Sequence, residues 1–306
     1  MNKGNNSVKL PPAYCIKGGE EALIRTIKSL TTRSARYPLN DLNMWDKRSE
    51  KVVNTLYDRG WEKLTGLLED KIDVIDSIKD KMNVFLDKGG RDCKYGLLGQ
   101  SDLSQTEARG KELFMSVANP LYNIPEVADI LFDDRIVNIA KCYFKSMPAV
   151  GTLNLRKSFA NNLPDAQTTI YHCDKNSPYM LKFFLYLEDV DVIEDGPFTY
   201  VEGSAYEKPR NWIDTHRVPD EEIENLYGKE KIKCLTAKKG DVLTAITTGY
   251  HKGQKVLSKD RTMLTLNFVC APEDWTVKTQ LDIKPESCAK LPAKHIPLLD
   301  FLYITE

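Results

Sequence analysis

No long apolar run interrupts this sequence. The richest, Leu181 to Leu187, contains Lys182 and is far short of the ~20 residues that a bilayer-spanning helix needs. It suits a buried strand. The first residues, Met1 to Val8, are mostly polar and lack the apolar core of a secretory signal. A basic excess is missing as well: Lys plus Arg number 43 and Asp plus Glu 44, for a net charge of -1. Composition therefore gives no nucleic-acid footprint and no acidic interaction arm. The 7 cysteines, at positions 15, 93, 142, 173, 234, 270 and 288, form no CxxC pair. That argues against a cysteine-built zinc site, and predicts reduced thiols and a cytoplasmic protein. Internal repeats and low-complexity tracts are absent too.

What is present changes character near residue 148. Before it, helical patterns dominate. Leu23, Ile24, Ile27 and Leu30 predict a short helix over 20–30, within an N-terminal extension that reaches to about residue 50. Residues 37–47 read as loop, and 60–68 hold one short strand. Ile72, Ile75, Ile78, Met82, Phe85 and Leu86 form an apolar stripe, and Gly89-Gly90 ends it. A further helix is predicted over 125–145. After residue 148, short β-type runs alternate with turn signals: 150–156, 167–172, 180–187, 198–201, 232–235, 241–246 and 262–269. Many short strands at this spacing predict a jelly-roll or cupin-like barrel, a double-stranded β-helix. The fold class expected is α+β, with the barrel core over 148–272 buttressed by a helical part over 51–147 and followed by a tail over 273–306. The polar interval 205–231 reads as a long insertion over one barrel mouth, with a helix over 221–227.

Histidine is scarce, with four residues at 172, 216, 251 and 295. The sharpest local feature is Tyr171-His172-Cys173-Asp174. On an extended strand, residues two apart share a face, so His172 and Asp174 project together, about 6–7 Å apart. His251, in Thr247-Thr248-Gly249-Tyr250-His251-Lys252-Gly253, is the candidate third ligand. Two histidines and one carboxylate leave open positions on a metal, the arrangement associated with oxygen-activating iron(II). His216 and His295 fall outside every motif and read as surface or structural residues.

The company of the HxD motif is more specific. Lys182-Phe183-Phe184-Leu185-Tyr186-Leu187-Glu188-Asp189-Val190-Asp191 is followed by Asp195-Gly196-Pro197-Phe198 and Glu202-Gly203-Ser204. Lys239-Gly240-Asp241, His251 and Arg261 come next. This order resembles the phytanoyl-CoA dioxygenase family of iron(II)/2-oxoglutarate-dependent oxygenases over roughly residues 55–270. The resemblance implies iron(II) held by His172, Asp174 and His251, with 2-oxoglutarate and O2 as cosubstrates. It makes Arg261 the anchor for the distal carboxylate of 2-oxoglutarate, a role suited to a planar guanidinium fork. It also implies hydroxylation, or another oxidation, of a small-molecule C–H bond, with release of succinate and CO2. Three positions depart from the family pattern. Ala205 stands where a histidine is frequent, Ile246 where an aspartate is frequent, and Phe184 where a tryptophan is common.

Phe184 and Lys182 share a strand face and are candidate cosubstrate contacts, although a strand-edge lysine reaching to solvent has the same sequence signature. Arg156, Arg210 and Trp212 are candidate substrate or lid residues. The tryptophans at 45, 61, 212 and 275 read chiefly as packing anchors. Two other functions keep the same fold: a metal-dependent non-redox enzyme, which needs no Arg261, and a silent binding module.

Overall fold

The computed structural model describes residues 9–10, 19–36, 46–89, 93–95, 103–174, 177, 179–209, 217–269, 282–284, 291–299 and 303–304. Its strands are β1 (Trp61–Leu64), β2 (Cys93–Tyr95), β3 (Phe114–Val117), β4 (Ala149–Ser158), β5 (Met180–Tyr186), β6 (Phe198–Val201), β7 (Ile232–Leu235), β8 (Val242–Ala245), β9 (His251–Gly253), β10 (Arg261–Val269), β11 (Asp282–Ile283) and β12 (Tyr303–Ile304). The larger sheet is 7-stranded, in the order β1-β8-β5-β10-β4-β3-β2, and its pairs are antiparallel. A 3-stranded sheet, β7-β6-β9, is the second wall, and β11 pairs with β12 apart from both. From β5 to β10 the chain passes back and forth between the two walls, which is the expected jelly-roll. No helix among the described residues is long and apolar enough to cross a membrane.

Strict alternation on the central strands creates two unlike faces. On β10, Leu264, Leu266 and Phe268 join the helix-side core with Leu153 and Leu155 of β4 and Leu181, Phe183 and Leu185 of β5. Residues of the opposite parity point into the barrel. There Phe184, Tyr186 and Leu243 meet Phe198, Tyr200 and Leu235 of the smaller sheet in a separate apolar cluster. The main core is closed by helices, chiefly 47–59, 72–88 and 134–144, through residues such as Leu56, Ile75, Met82 and Val137.

Several expectations need correction. The helix Lys47–Arg59 was not anticipated. Its signals are local: Asp46 caps it by accepting from the Ser49 amide at 2.7 Å, Val52, Val53 and Leu56 are buried, and Gly60 ends it at φ 91°. The helix expected over 125–145 is two, Val127–Leu131 and Asp134–Phe144, because Asp133 takes an extended conformation and caps the second. β2 and β3 lie inside the part expected to be helical, and extend the larger sheet beyond β4. The strand expected over 167–172 is a short 3-10 turn, Gln167–Thr169, followed by single bridges at Tyr171 and His172. In the interval 205–231, the expected helix is present as Asp220–Tyr227. Val218 and Ile223 are buried with Tyr171 and Tyr250, so this part of the insertion is fixed to the segment carrying the HxD motif.

Candidate metal centre

His172 and His251 face each other across a β-bridge. The amide of each donates to the carbonyl of the other at 3.0 Å, and the Asp174 amide donates to the Thr247 carbonyl at 2.8 Å. The HxD segment is therefore held on the edge of β9 by backbone pairing, although it is no regular strand. Ligand atoms of His172, Asp174 and His251 all lie within 4.8 Å of one another. Backbone pairing thus achieves the convergence expected from strand alternation.

Each imidazole is oriented the same way. Nδ1 of His172 lies 2.9 Å from the Ile170 carbonyl, and Nδ1 of His251 lies 3.0 Å from the Gly249 carbonyl. A carbonyl only accepts, so both Nδ1 atoms carry the proton and both Nε2 atoms keep a lone pair. Such outer hydrogen bonds set the tautomer and ring angle of metal-binding histidines. Burial, reinforced by the neighbouring His251, pushes His172 down to about 3, and burial lowers His251 as well. Both rings are neutral donors near neutral pH. Burial would raise the Asp174 carboxyl, but Lys182 above all, with both histidines, outweighs it and holds the group below the usual carboxylate range. Lys182 Nζ sits 2.7 Å from Asp174 Oδ2. Its partner is thus a candidate ligand, in place of the expected anionic cosubstrate or open solvent. Two neutral imidazoles and one ionised carboxylate, poised together, are a donor set that fits a divalent transition metal.

The turn before His251 is shaped by close packing. A Cβ on Gly249 would lie 2.3 Å from the Tyr200 hydroxyl, and a Cβ on Gly60 2.4 Å from it. That hydroxyl donates to the Ile246 carbonyl at 2.9 Å. Ser204 Oγ accepts from the Tyr250 amide at 2.7 Å, and buried Lys208 donates to the Ser204 and Thr248 carbonyls, each at 2.7 Å. Sequence reading missed Lys208, whose signature is that of any surface lysine.

Further along the inner face stand two arginines. Arg261 is buried at the start of β10, and Arg156 on β4 is half-buried. Arg261 donates from Nη2 to Ser158 Oγ at 3.2 Å, while its Nε and Nη1 have no partner among the described residues. Arg156 donates to Thr168 Oγ1 at 3.3 Å, its guanidinium lies 3.8 Å over the Phe114 ring, and its Nε is buried without a partner. Burial lowers both, and the nearby Arg261 helps push Arg156 down to about 10. A guanidinium keeps its charge nonetheless. Unpaired buried charge is costly, and an anion bound here would offset that cost.

Phe184 is buried in the inner apolar cluster: its ring is 4.5 Å from that of Phe198, which lies 5.5 Å from His251. Arg217, also missed, comes close enough to act electrostatically on both histidines. Trp61 packs on the inner cluster, and His295 is buried with Nε2 2.9 Å from Asp134 Oδ1, a structural role. Arg210, Trp212 and His216 lie outside the described residues, as do Trp45 and Trp275.

No protein-family model matches this chain, and no curated protein matches it in sequence. Solved structures do match in fold. EctD from S. alaskensis, with 2-oxoglutarate and 5-hydroxyectoine, superposes with a TM-score of 0.55 at 15% identity, over 77% of this chain and 80% of that one. The non-heme alpha ketoglutarate dependent epimerase SnoN from nogalamycin biosynthesis gives 0.52 at 17% identity, over 72% and 82%. The carbocyclase SnoK of the same biosynthesis gives 0.51 at 14%, over 72% and 83%. At these identities the likeness establishes a shared fold.

Proposed function

We propose that this protein is an iron(II)- and 2-oxoglutarate-dependent oxygenase, a hydroxylase of the phytanoyl-CoA dioxygenase type acting on a C–H bond of a small molecule. The observation that carries this reading is a pairing of sites inside the barrel, one on each wall. A His/Asp/His set with both Nε2 lone pairs turned to a common point stands at the edge of the smaller sheet, and the under-satisfied Arg261 with Arg156 stands on the larger one. A non-redox metal enzyme needs the first of these and has no use for the second. The fold neighbours are consistent with it, since the EctD structure contains 2-oxoglutarate and SnoN and SnoK are described as alpha ketoglutarate dependent.

His172, Asp174 and His251 would hold iron(II), and Arg261 would take the distal carboxylate of 2-oxoglutarate through its fork. Iron and cosubstrate together supply the oxidising chemistry: O2, 2-oxoglutarate and R–H become succinate, CO2 and R–OH. The chain's own residues prepare the site. The Ile170 and Gly249 carbonyls fix both imidazoles. Lys182 keeps Asp174 ionised and in place. Arg156 would add positive potential beside the cosubstrate, and the apolar Phe184–Phe198 contact would keep water from the metal site. Asp174 fills the position that is small in halide-using relatives of the family, which favours transfer of oxygen.

Succinate release tests the proposal. Purified protein with iron(II), ascorbate, 2-oxoglutarate and O2 is expected to form succinate, faster when a true substrate is present. No succinate from the iron-loaded protein across a broad substrate panel, with 2-oxoglutarate failing to bind, would overturn the reading.

A further inference from the structure

Asn267 lies on the inner face of β10, in register with Thr152 of β4 and Lys182 of β5. It is fully buried, and neither Oδ1 nor Nδ2 of its amide has a partner among the described residues. Buried amides in folded proteins are almost always paired. A leucine would fill such a place without that cost, as Leu264 and Leu266 do on the other face. The neighbouring backbone leaves the amide room. The β4–β10 register shifts between Asn267 and Phe268, and a Cβ on Gly151 would stand 3.2 Å from Asn267 Nδ2. The position is also telling. Its register partner Lys182 touches Asp174, whereas Arg261 is six residues away at the other end of β10. Beyond Asn267, Val269, Met180 and Ala149 form a small buried apolar cluster.

Resting on the oxygenase reading, we propose that Asn267 is a substrate-reading residue. Its amide binds a group on the substrate that both donates and accepts hydrogen bonds, such as a carboxamide or a hydroxyl. The substrate is then a polar molecule, and a plain hydrocarbon chain is disfavoured because it would leave the amide unpaired.

The test uses metal-loaded full-length protein with acetamide as the probe. In Mn2+-loaded protein with 2-oxoglutarate, the acetamide methyl protons are expected to relax faster through the nearby ion. The enhancement should fall at least about fivefold in Asn267→Leu and Asn267→Ala, the loss of two neutral hydrogen bonds. Melting of the ligand-free variants separates reading from scaffolding. A substrate-reading amide predicts that Asn267→Leu melts no lower than wild type. A fall of more than about 4 °C in both variants makes the amide structural and overturns the proposal. Equal acetamide relaxation in wild type and variants overturns it too, as does weakened 2-oxoglutarate binding in the variants, which would place the amide on the cosubstrate. Electron paramagnetic resonance of Mn2+ in the same samples reports the metal site separately. A wild type that binds no Mn2+ overturns the oxygenase reading and this inference together.

Discussion

Leu264, Leu266 and Phe268 on one face of β10 are fully buried against the helical layer. Met263 and Thr265, one residue away on the other face, keep partial exposure inside the barrel, as do Thr152, Asn154 and Arg156 across from them. On β10 the helix side is apolar from Leu264 to Phe268 and needs no polar partner there. The barrel side carries Arg261, Arg156 and Asn267, each with one or more buried polar atoms that lack a partner among the described residues. The same strand thus spends one face on stability and leaves the other incomplete. A fold tolerates incompletely paired polar groups where function requires them. The difference between the faces marks where ligands belong.

The largest effect expected is on the barrel side. His172→Ala, Asp174→Ala or His251→Ala should abolish turnover and weaken metal binding by more than about 100-fold, beyond what changes to outer hydrogen bonds do. Mn2+ titration checks this, and full affinity in any one variant removes that residue from the ligand set. On the helix side, Phe268→Ala should destabilise by about 3–5 kcal/mol in urea unfolding. Thr265→Ala, three residues away on the barrel face, should change stability by less than about 1 kcal/mol. Equal losses would erase the distinction between the faces. Next in size, Arg261→Lys should weaken 2-oxoglutarate binding by about 10- to 100-fold with Mn2+ affinity kept, because the charge remains and the fork is lost. An unchanged affinity would transfer the anchoring role to Arg156. The smallest effect sharpens the comparison at the turn that aims His251. Gly249→Ala forces the Tyr200 hydroxyl, 2.3 Å from the new Cβ, to shift. Metal affinity should fall by less than in the ligand variants, and a wild-type Mn2+ titration would show that the turn absorbs the change.

Much of this was legible in the sequence. The alternation Arg261-Thr262-Met263-Leu264-Thr265-Leu266-Asn267-Phe268 writes both faces of β10 directly, and period-two spacing pointed to His172 with Asp174, although single backbone bridges and not a regular strand hold them. The jelly-roll followed from strand spacing and turn residues. What stayed hidden depended on distant partners. β3 is too short to show a period, and its pairing with β4 is a tertiary fact. The Lys182–Asp174 contact joins residues whose meeting no local pattern encodes. Lys208 and Asn267 look ordinary in sequence and become informative only through burial. The break at Asp133 was readable in principle, since an aspartate before Asp134-Arg135-Ile136 is a capping signal, but an apolar stripe continuing on both sides obscured it.

Thermal unfolding with and without Mn2+ and 2-oxoglutarate tests most directly whether the barrel face is completed by ligands. Saturating both, each at ~100 times its dissociation constant, should stabilise the native state by about 5.4 kcal/mol, about 2.7 kcal/mol from each ligand. That corresponds to a rise in melting temperature of roughly 5–10 °C, and Arg261→Lys should lose most of the part that depends on 2-oxoglutarate. An unchanged melting temperature on adding 2-oxoglutarate to the Mn2+-loaded wild type would contradict the account.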